Sequence, residues 1–275
     1  MAIQKSASRI LSANGKPPTA NGRTQPPNDY PTSDGKPMAE SEIHRKLMVT
    51  LIETLEDWFA DNDSVCVSGN LLVFYDEGDK RKHVSPDVFV VSGVGNHLRE
   101  NYLIWQEGRG LDLVIELTSK TTRREDTTTK RRLYRSKIGV QEYFLFDPLE
   151  EYLTPSFQGF RRVGTRFQPI RAVDGRLPSQ VLGLHLEREG KRLRFYNPIT
   201  KQWLPTPIEK ARAETVAERT QKEAERERAE AERERAEAER VEKLAERARA
   251  DAAEAENRQM REELERLRRA LGEGL

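Results

Sequence analysis

Two acidic residues stand where acids are costly. Asp87 opens the run Ser85-Pro86-Asp87-Val88-Phe89-Val90-Val91, and Glu116 is embedded in Leu113-Val114-Ile115-Glu116-Leu117. A carboxylate inside an apolar run stays charged only if it is paired or bound to a metal. Two such acids on neighbouring strands can hold Mg2+ or Mn2+ through oxygen and leave positions for water and a phosphate oxygen. A metal held this way generates a hydroxide and neutralises charge on a scissile phosphate. Each acid alone also has a structural reading. Glu116 can pair with an arginine or mark a strand end, and Asp87 can cap a turn after Pro86.

Other chemistries are excluded by what is missing. There is no Gly-x-Gly-x-x-Gly, no Walker loop, no His-Glu-x-x-His and no Gly-x-Ser-x-Gly. One cysteine, Cys66, rules out an internal disulfide, and with four histidines it argues against a His/Cys zinc enzyme. A reduced, cytoplasmic setting is expected. No apolar run reaches membrane-spanning length, so no membrane partner is expected.

The elements that must position the two acids are legible from periodicity. Ile43, Leu47, Leu51, Leu55 and Trp58 recur every three or four positions and predict a helix near 38–60, entered after Pro37. Strand-like runs follow at 65–67, 71–75, 87–91 and 111–118, with Ser68-Gly69-Asn70 as a break or bulge. The segment from Thr121 reads as a second helix, with Thr122 and Glu125 as a capping box and Gly139 as its end. Gln141–Phe146 is a further strand, and shorter strands follow around 159–163, 166–171, 184–188 and 192–196. The order predicts an α/β (α+β) core.

In this order and spacing the chain resembles the Uma-two family of restriction endonucleases, within the PD-(D/E)XK nuclease superfamily. The residues carrying the likeness are 31–48 (PTSDGKPMAESEIHRKLM), 85–91 (SPDVFVV), 113–134 (LVIELTSKTTRREDTTTKRRLY) and 140–148 (VQEYFLFDP). The resemblance implies a restriction-endonuclease-like mixed sheet flanked by helices, and Mg2+- or Mn2+-dependent hydrolysis of DNA. Asp87 matches the first acid of the superfamily motif and Glu116 the second, which makes both metal ligands. The motif lysine should stand at 118, where this sequence has Thr118. The family places the lysine function on the following helix, which points to Lys130. A chain that kept the fold without catalysis and worked through its tail is the alternative.

The residues support Lys130 independently. Thr127, Lys130, Tyr134 and Ile138 are three and four apart, so the lysine should face the sheet. There its ammonium could stabilise an attacked phosphate or orient a water; the structural alternative is a lysine stretched along the core edge. Lys120 is the rival, because counting by twos from Glu116 reaches Thr118 and then Lys120. His44, one turn from Glu40 on the first helix, and Glu142, at the start of Gln141–Phe146, are supporting candidates. Glu142 would orient Lys130 or a water. Arg123, Arg124, Arg131, Arg132 and Arg135 crowd the second helix as phosphate contacts or as a solvated face.

Charge divides the chain. Of the 67 residues from Glu209 to Leu275, 17 are Lys or Arg and 20 are Asp or Glu. Such a segment cannot bury a core, whereas the body before it holds nearly all the aromatics. Alanines repeat every seven residues from Ala224 to Ala252, and Met260, Leu264, Leu267 and Leu271 show 4-3-4 spacing. The expectation is three parts: a disordered arm at 1–30, a nuclease-like domain at 31–206 and a long charged helix or weak coiled coil at 207–275. The last should support weak homodimerisation through its end.

Overall fold

The computed structural model describes residues 29–33, 35 and 41–272. The expected arm at 1–30 therefore lies almost wholly outside the described residues, as do Pro37 and Glu40. The chain divides into two compact units, one ending at Leu204 and one starting at Pro205.

The first unit is built on a mixed six-stranded sheet. Its strands are β1 (Val65–Ser68), β4 (Val88–Ser92), β6 (Leu113–Leu117), β7 (Glu142–Phe146), β8 (Phe157–Val163) and β9 (Arg166–Pro169), in the order β1-β4-β6-β7-β8-β9. All neighbours are antiparallel except β6 and β7. A parallel pair needs a crossover, and the helix between β6 and β7 supplies it. A three-stranded sheet, β2 (Val73–Phe74) with β3 (His83–Val84) and β5 (Tyr102–Leu103), and a four-stranded sheet, β10 (Leu177–Pro178), β11 (His185–Glu189), β12 (Arg192–Asn197) and β13 (Gln202–Trp203), complete the strands. A one-turn helix α2 (Ile104–Glu107) follows β5.

The central strands are apolar apart from Glu116 in β6, Glu142 at the start of β7 and Ser92 at the end of β4, because both faces of the sheet are covered. Val88, Val90, Leu113, Ile115 and Leu117 point to one side, where α1 (Glu42–Trp58) lays Leu47, Leu51 and Leu55 on them. Leu186, Leu193 and Phe195 of the four-stranded sheet join the same core. The alternate residues Phe89, Val91 and Val114 point to the other side, toward Tyr134 and Ile138. The predicted α/β (α+β) core is therefore present, and the resemblance's mixed sheet with flanking helices is what the structure shows.

The crossover helix α3 (residues 125–138) is unusual. Glu125–Lys130 and Tyr134–Ile138 are π-helical, with α-helical Arg131–Leu133 between them. Its entry also differs from expectation. The reciprocal cap is Ser119 with Thr122, not Thr122 with Glu125: Thr122 Oγ1 accepts from the Ser119 N–H at 3.0 Å, and Ser119 Oγ accepts from the Thr122 N–H at 3.3 Å. A Ser/Thr pair three apart can close this box, since both hydroxyls accept. Gly139, at φ +81°, ends the helix as expected.

The second unit is the helix α4 (Pro207–Gly272), 66 residues long. Thr206 and Glu209 cap its start: the Thr206 N–H donates to Glu209 Oε2 at 2.8 Å, and the Glu209 N–H to Thr206 Oγ1 at 3.4 Å. Proline at the first helical position completes the start signal. Every side chain from Lys210 to Arg269 is exposed. Ala, Glu and Arg propensity, helped by pairs such as Lys222–Glu218 and Lys243–Glu239, sustains a helix that buries nothing of its own.

Candidate active site

Strand register brings the two sequence-predicted acids together. β4 and β6 pair Val88 with Ile115 and Phe89 with Val114. One step further along the same register sets Asp87 opposite Glu116. Side chains so opposed are close neighbours on one face, and like charges there repel.

Each acid is held by the backbone or by a neighbouring element. Asp87 Oδ2 accepts the Leu117 N–H at 2.7 Å, and Asp87 Oδ1 lies 3.1 Å from His44 Nε2 at the start of α1. Gly69 makes the approach to Asp87 feasible. A Cβ there would stand 1.9 Å from the Asp87 carbonyl oxygen, while the next N–H, of Asn70, donates to Pro86 O at 2.8 Å. The Ser68-Gly69-Asn70 break is thus a clamp on the Pro86-Asp87 turn.

Glu116 is 1% exposed. Its Oε1 accepts from the Tyr134 hydroxyl at 2.5 Å and its Oε2 from Lys130 Nζ at 2.9 Å. Lys130 Nζ is also 3.4 Å from Asp126 Oδ1. Asp126 is itself buried; its backbone carbonyl takes the Tyr143 hydroxyl at 3.0 Å, and neither carboxylate oxygen has a well-formed hydrogen bond. Thr118 Oγ1, on the Glu116 side of β6, is likewise buried without a hydrogen-bond partner among the described residues.

The electrostatics follow from crowding three carboxylates around one ammonium. Burial pushes the Glu116 carboxyl well above the usual range; Asp87 and Asp126 add to the shift and Lys130 opposes it. Burial also raises Asp126, again against Lys130. For Lys130 burial favours the neutral amine, yet Glu116, Asp126 and Asp87 together outweigh it and hold the ammonium above the ordinary lysine range.

Comparison with known proteins adds the lineage. The model of the Uma2 family, described as "Putative restriction endonuclease", matches residues 24–210. The chain belongs to the Uma2 family. A crystal structure titled as a "putative nuclease belonging to DUF820 from Anabaena variabilis ATCC 29413" is similar at 18% identity, over 54% of this chain and 79% of that one, with a TM-score of 0.40. No match was found among curated proteins.

In this Uma2 chain the structure sorts the predicted residues. Asp87, Glu116, Lys130 and His44 converge. Lys120 does not: it is exposed beyond the end of β6, and it joins none of the ion pairs around Glu116. The strand ends at Leu117, so counting by twos no longer fixes direction at 120.

Glu142 is a second correction. It is the register partner of Leu113, on the sheet face opposite Glu116 and near the other end of the strand. There its carboxylate binds Arg161, the Ser179 hydroxyl and the Gln180 N–H, tying β7 to the segment after β10. It orients neither Lys130 nor a water at the cluster. Glu142→Ala should cost about 3 kcal/mol of stability by leaving Arg161 and buried donors unpaired. Urea unfolding measures this, and activity per folded molecule should stay unchanged.

Asp126 is the residue that periodicity missed. A 3-4 count assumes an α-helix and selects Thr127, which is half-buried and donates to Arg123 O instead. The i→i+5 bonding of the π-helical turns widens the spiral, so residues four apart line up. The buried row is therefore Asp126, Lys130, Tyr134 and Ile138.

The donor set suits a hard divalent cation. Among the described residues no three His, Cys, Asp or Glu side chains are already gathered into a metal-holding group. The oxygens nevertheless fit in chemistry and charge: three carboxylates face one ammonium, and among the described residues the Asp126 oxygens have no well-formed hydrogen bond beyond the ion-pair contact with Lys130. The hydrogen-bonded oxygens of Asp87 and Glu116 each keep a second lone pair.

Proposed function

We propose that the chain is a metal-dependent endonuclease that hydrolyses DNA phosphodiester bonds, with 31–206 as the nuclease domain and 207–275 as an appended helix. The observation that carries this reading is the pairing of Asp87 and Glu116 across β4 and β6, with Lys130 on the same carboxylate. Membership of the Uma2 family supports it.

Asp87 and Glu116 would hold Mg2+ or Mn2+, with Asp126 as a further oxygen donor. Such an ion, when bound, polarises a phosphate oxygen and acidifies a water. The rest falls to the chain's own groups. The Leu117 N–H and His44 fix the Asp87 carboxylate, and Tyr134 fixes Glu116 Oε1. Lys130 remains an ammonium and can donate to a phosphate oxygen or to the attacking water, the part the motif lysine would otherwise play. Exposed Lys120, Arg123, Arg124 and Arg132 lie along the stretch from β6 into α3 and suit contacts to the DNA backbone.

The test is cleavage of supercoiled and linear DNA by the full chain. Cutting should require Mg2+ or Mn2+ and stop with a chelator. Absence of cutting with either ion would overturn the reading. Calorimetric titration with Mg2+ gives an independent readout, and Asp126→Asn should weaken binding by roughly 10–100-fold. An unchanged affinity would remove Asp126 from the site.

A further inference from the structure

The end of α4 carries a pattern that neither the nuclease fold nor the proposed cleavage uses. We infer that residues 249–268 form a parallel, in-register two-stranded coiled coil with a second copy of this chain.

The seam is longer than the leucine spacing alone suggests. Extended backward in the same register, Met260, Leu264 and Leu267 are preceded by Asn257, Ala253 and Ala250. Positions a are then Ala250, Asn257 and Leu264, and positions d are Ala253, Met260 and Leu267. One more heptad back would put Glu246 and Lys243 in the seam, so it starts at Ala250. In the single helix Met260, Leu264 and Leu267 are each more than half exposed. Three large apolar side chains at 4-3 spacing on a helix with no cover of its own need a partner.

Charge identifies the partner as a second copy and sets its direction. In a parallel pair each g residue faces the e residue five positions on in the other helix. The three such pairs are Arg249–Glu254, Glu256–Arg261 and Glu263–Arg268, all of opposite sign. Asn257 at an a position meets Asn257 of the other copy, where two amides can hydrogen-bond, the arrangement that fixes register and favours two strands. Run antiparallel over the same seam, Asn257 would oppose Met260 and Glu256 would oppose Glu263. The Glu254–Arg261 pairs that the antiparallel arrangement would also form only offset its Glu256–Glu263 repulsion, whereas all three charge pairs of the parallel arrangement attract and Asn257 meets its own kind, so the pattern selects the parallel pair.

Sedimentation equilibrium of the full chain should show a reversible monomer–dimer equilibrium. Leu264→Glu/Leu267→Glu should leave only monomer, and both positions are exposed in the single helix, so folding is not at risk. Glu256→Arg/Glu263→Arg should raise the dissociation constant roughly tenfold or more. Mixing that variant with Arg261→Glu/Arg268→Glu should restore association as a heterodimer. Ala253→Cys should give a disulfide-linked dimer under mild oxidation, because equal d positions meet only in a parallel, in-register pair. The one native thiol, Cys66, is buried and does not compete. A chain that stays monomeric at its highest soluble concentration, a dimer indifferent to the charge or leucine changes, or a dimer in which Ala253→Cys fails to cross-link would each overturn the inference.

Discussion

Glu116→Ala is expected to abolish metal-dependent DNA cleavage while the protein still folds. The side chain is held from both sides, by Tyr134 on one oxygen and Lys130 on the other, and it faces Asp87 across the strand pair. Removing it takes away an oxygen of the proposed metal site and frees Lys130, which still has Asp126 at 3.4 Å. Folding survives because the apolar residues of β6 are untouched. Glu116→Gln separates charge from shape. The Glu116 pKa is raised by burial, so the folded protein binds that proton more tightly than the unfolded chain. The resulting stability is whole below the ordinary glutamate range and is lost as pH rises through the raised value. The amide does not titrate and escapes this loss. The stability of Glu116→Gln relative to the metal-free wild type should therefore grow from acidic to alkaline pH, as read by urea unfolding. A difference that does not change with pH would mean that the folded protein leaves Glu116 with its ordinary proton affinity.

What made the core readable is that its central strands are buried on both faces. Val88–Val91 appears in the sequence as an unbroken apolar run and Leu113–Leu117 as one broken only by Glu116, so a single acid at the edge of or inside such a run stands out. The inward side of α3 was partly readable, because Lys130, Tyr134 and Ile138 share it whether turns are α or π. Asp126 was not, since nothing in Glu125–Lys130 announces i→i+5 bonding, and the helical count shifted by one residue. Glu142 misled for a different reason. An acid at the start of a strand reads the same at either end of the sheet and on either face, and only the pairing of Glu142 with Leu113 separates it from Glu116. The four-stranded sheet against α1 reads in the sequence only as separate short strands, because His185–Glu189 has the single apolar residue Leu186 and Arg192–Asn197 mixes charged and apolar residues without saying what they cover.

Lys130→Ala should lower the rate of cleavage by a factor of order 10²–10³, the usual effect of losing one transition-state charge contact. The argument rests on where its ammonium is and what holds it there. Nζ is within 2.9 Å of Glu116 and 3.4 Å of Asp126, and these acids with Asp87 keep it protonated despite burial. A donor held charged beside the acids of the proposed metal site is what a phosphate gaining negative charge requires. Metal affinity should not fall, because the ammonium competes with a cation for the same carboxylates; at alkaline pH calorimetry should find Mg2+ bound as tightly or more tightly. The loss should therefore appear in kcat, with KM for DNA little changed. Lys120→Ala gives the contrast: an exposed residue outside the cluster, it should alter KM and its salt dependence through backbone contact, with kcat within a few-fold of wild type. If Lys120→Ala is the inactive variant and Lys130→Ala cleaves normally, the lysine on the π-helical turn serves only to neutralise Glu116 and Asp126, and the catalytic cation lies on the loop after β6.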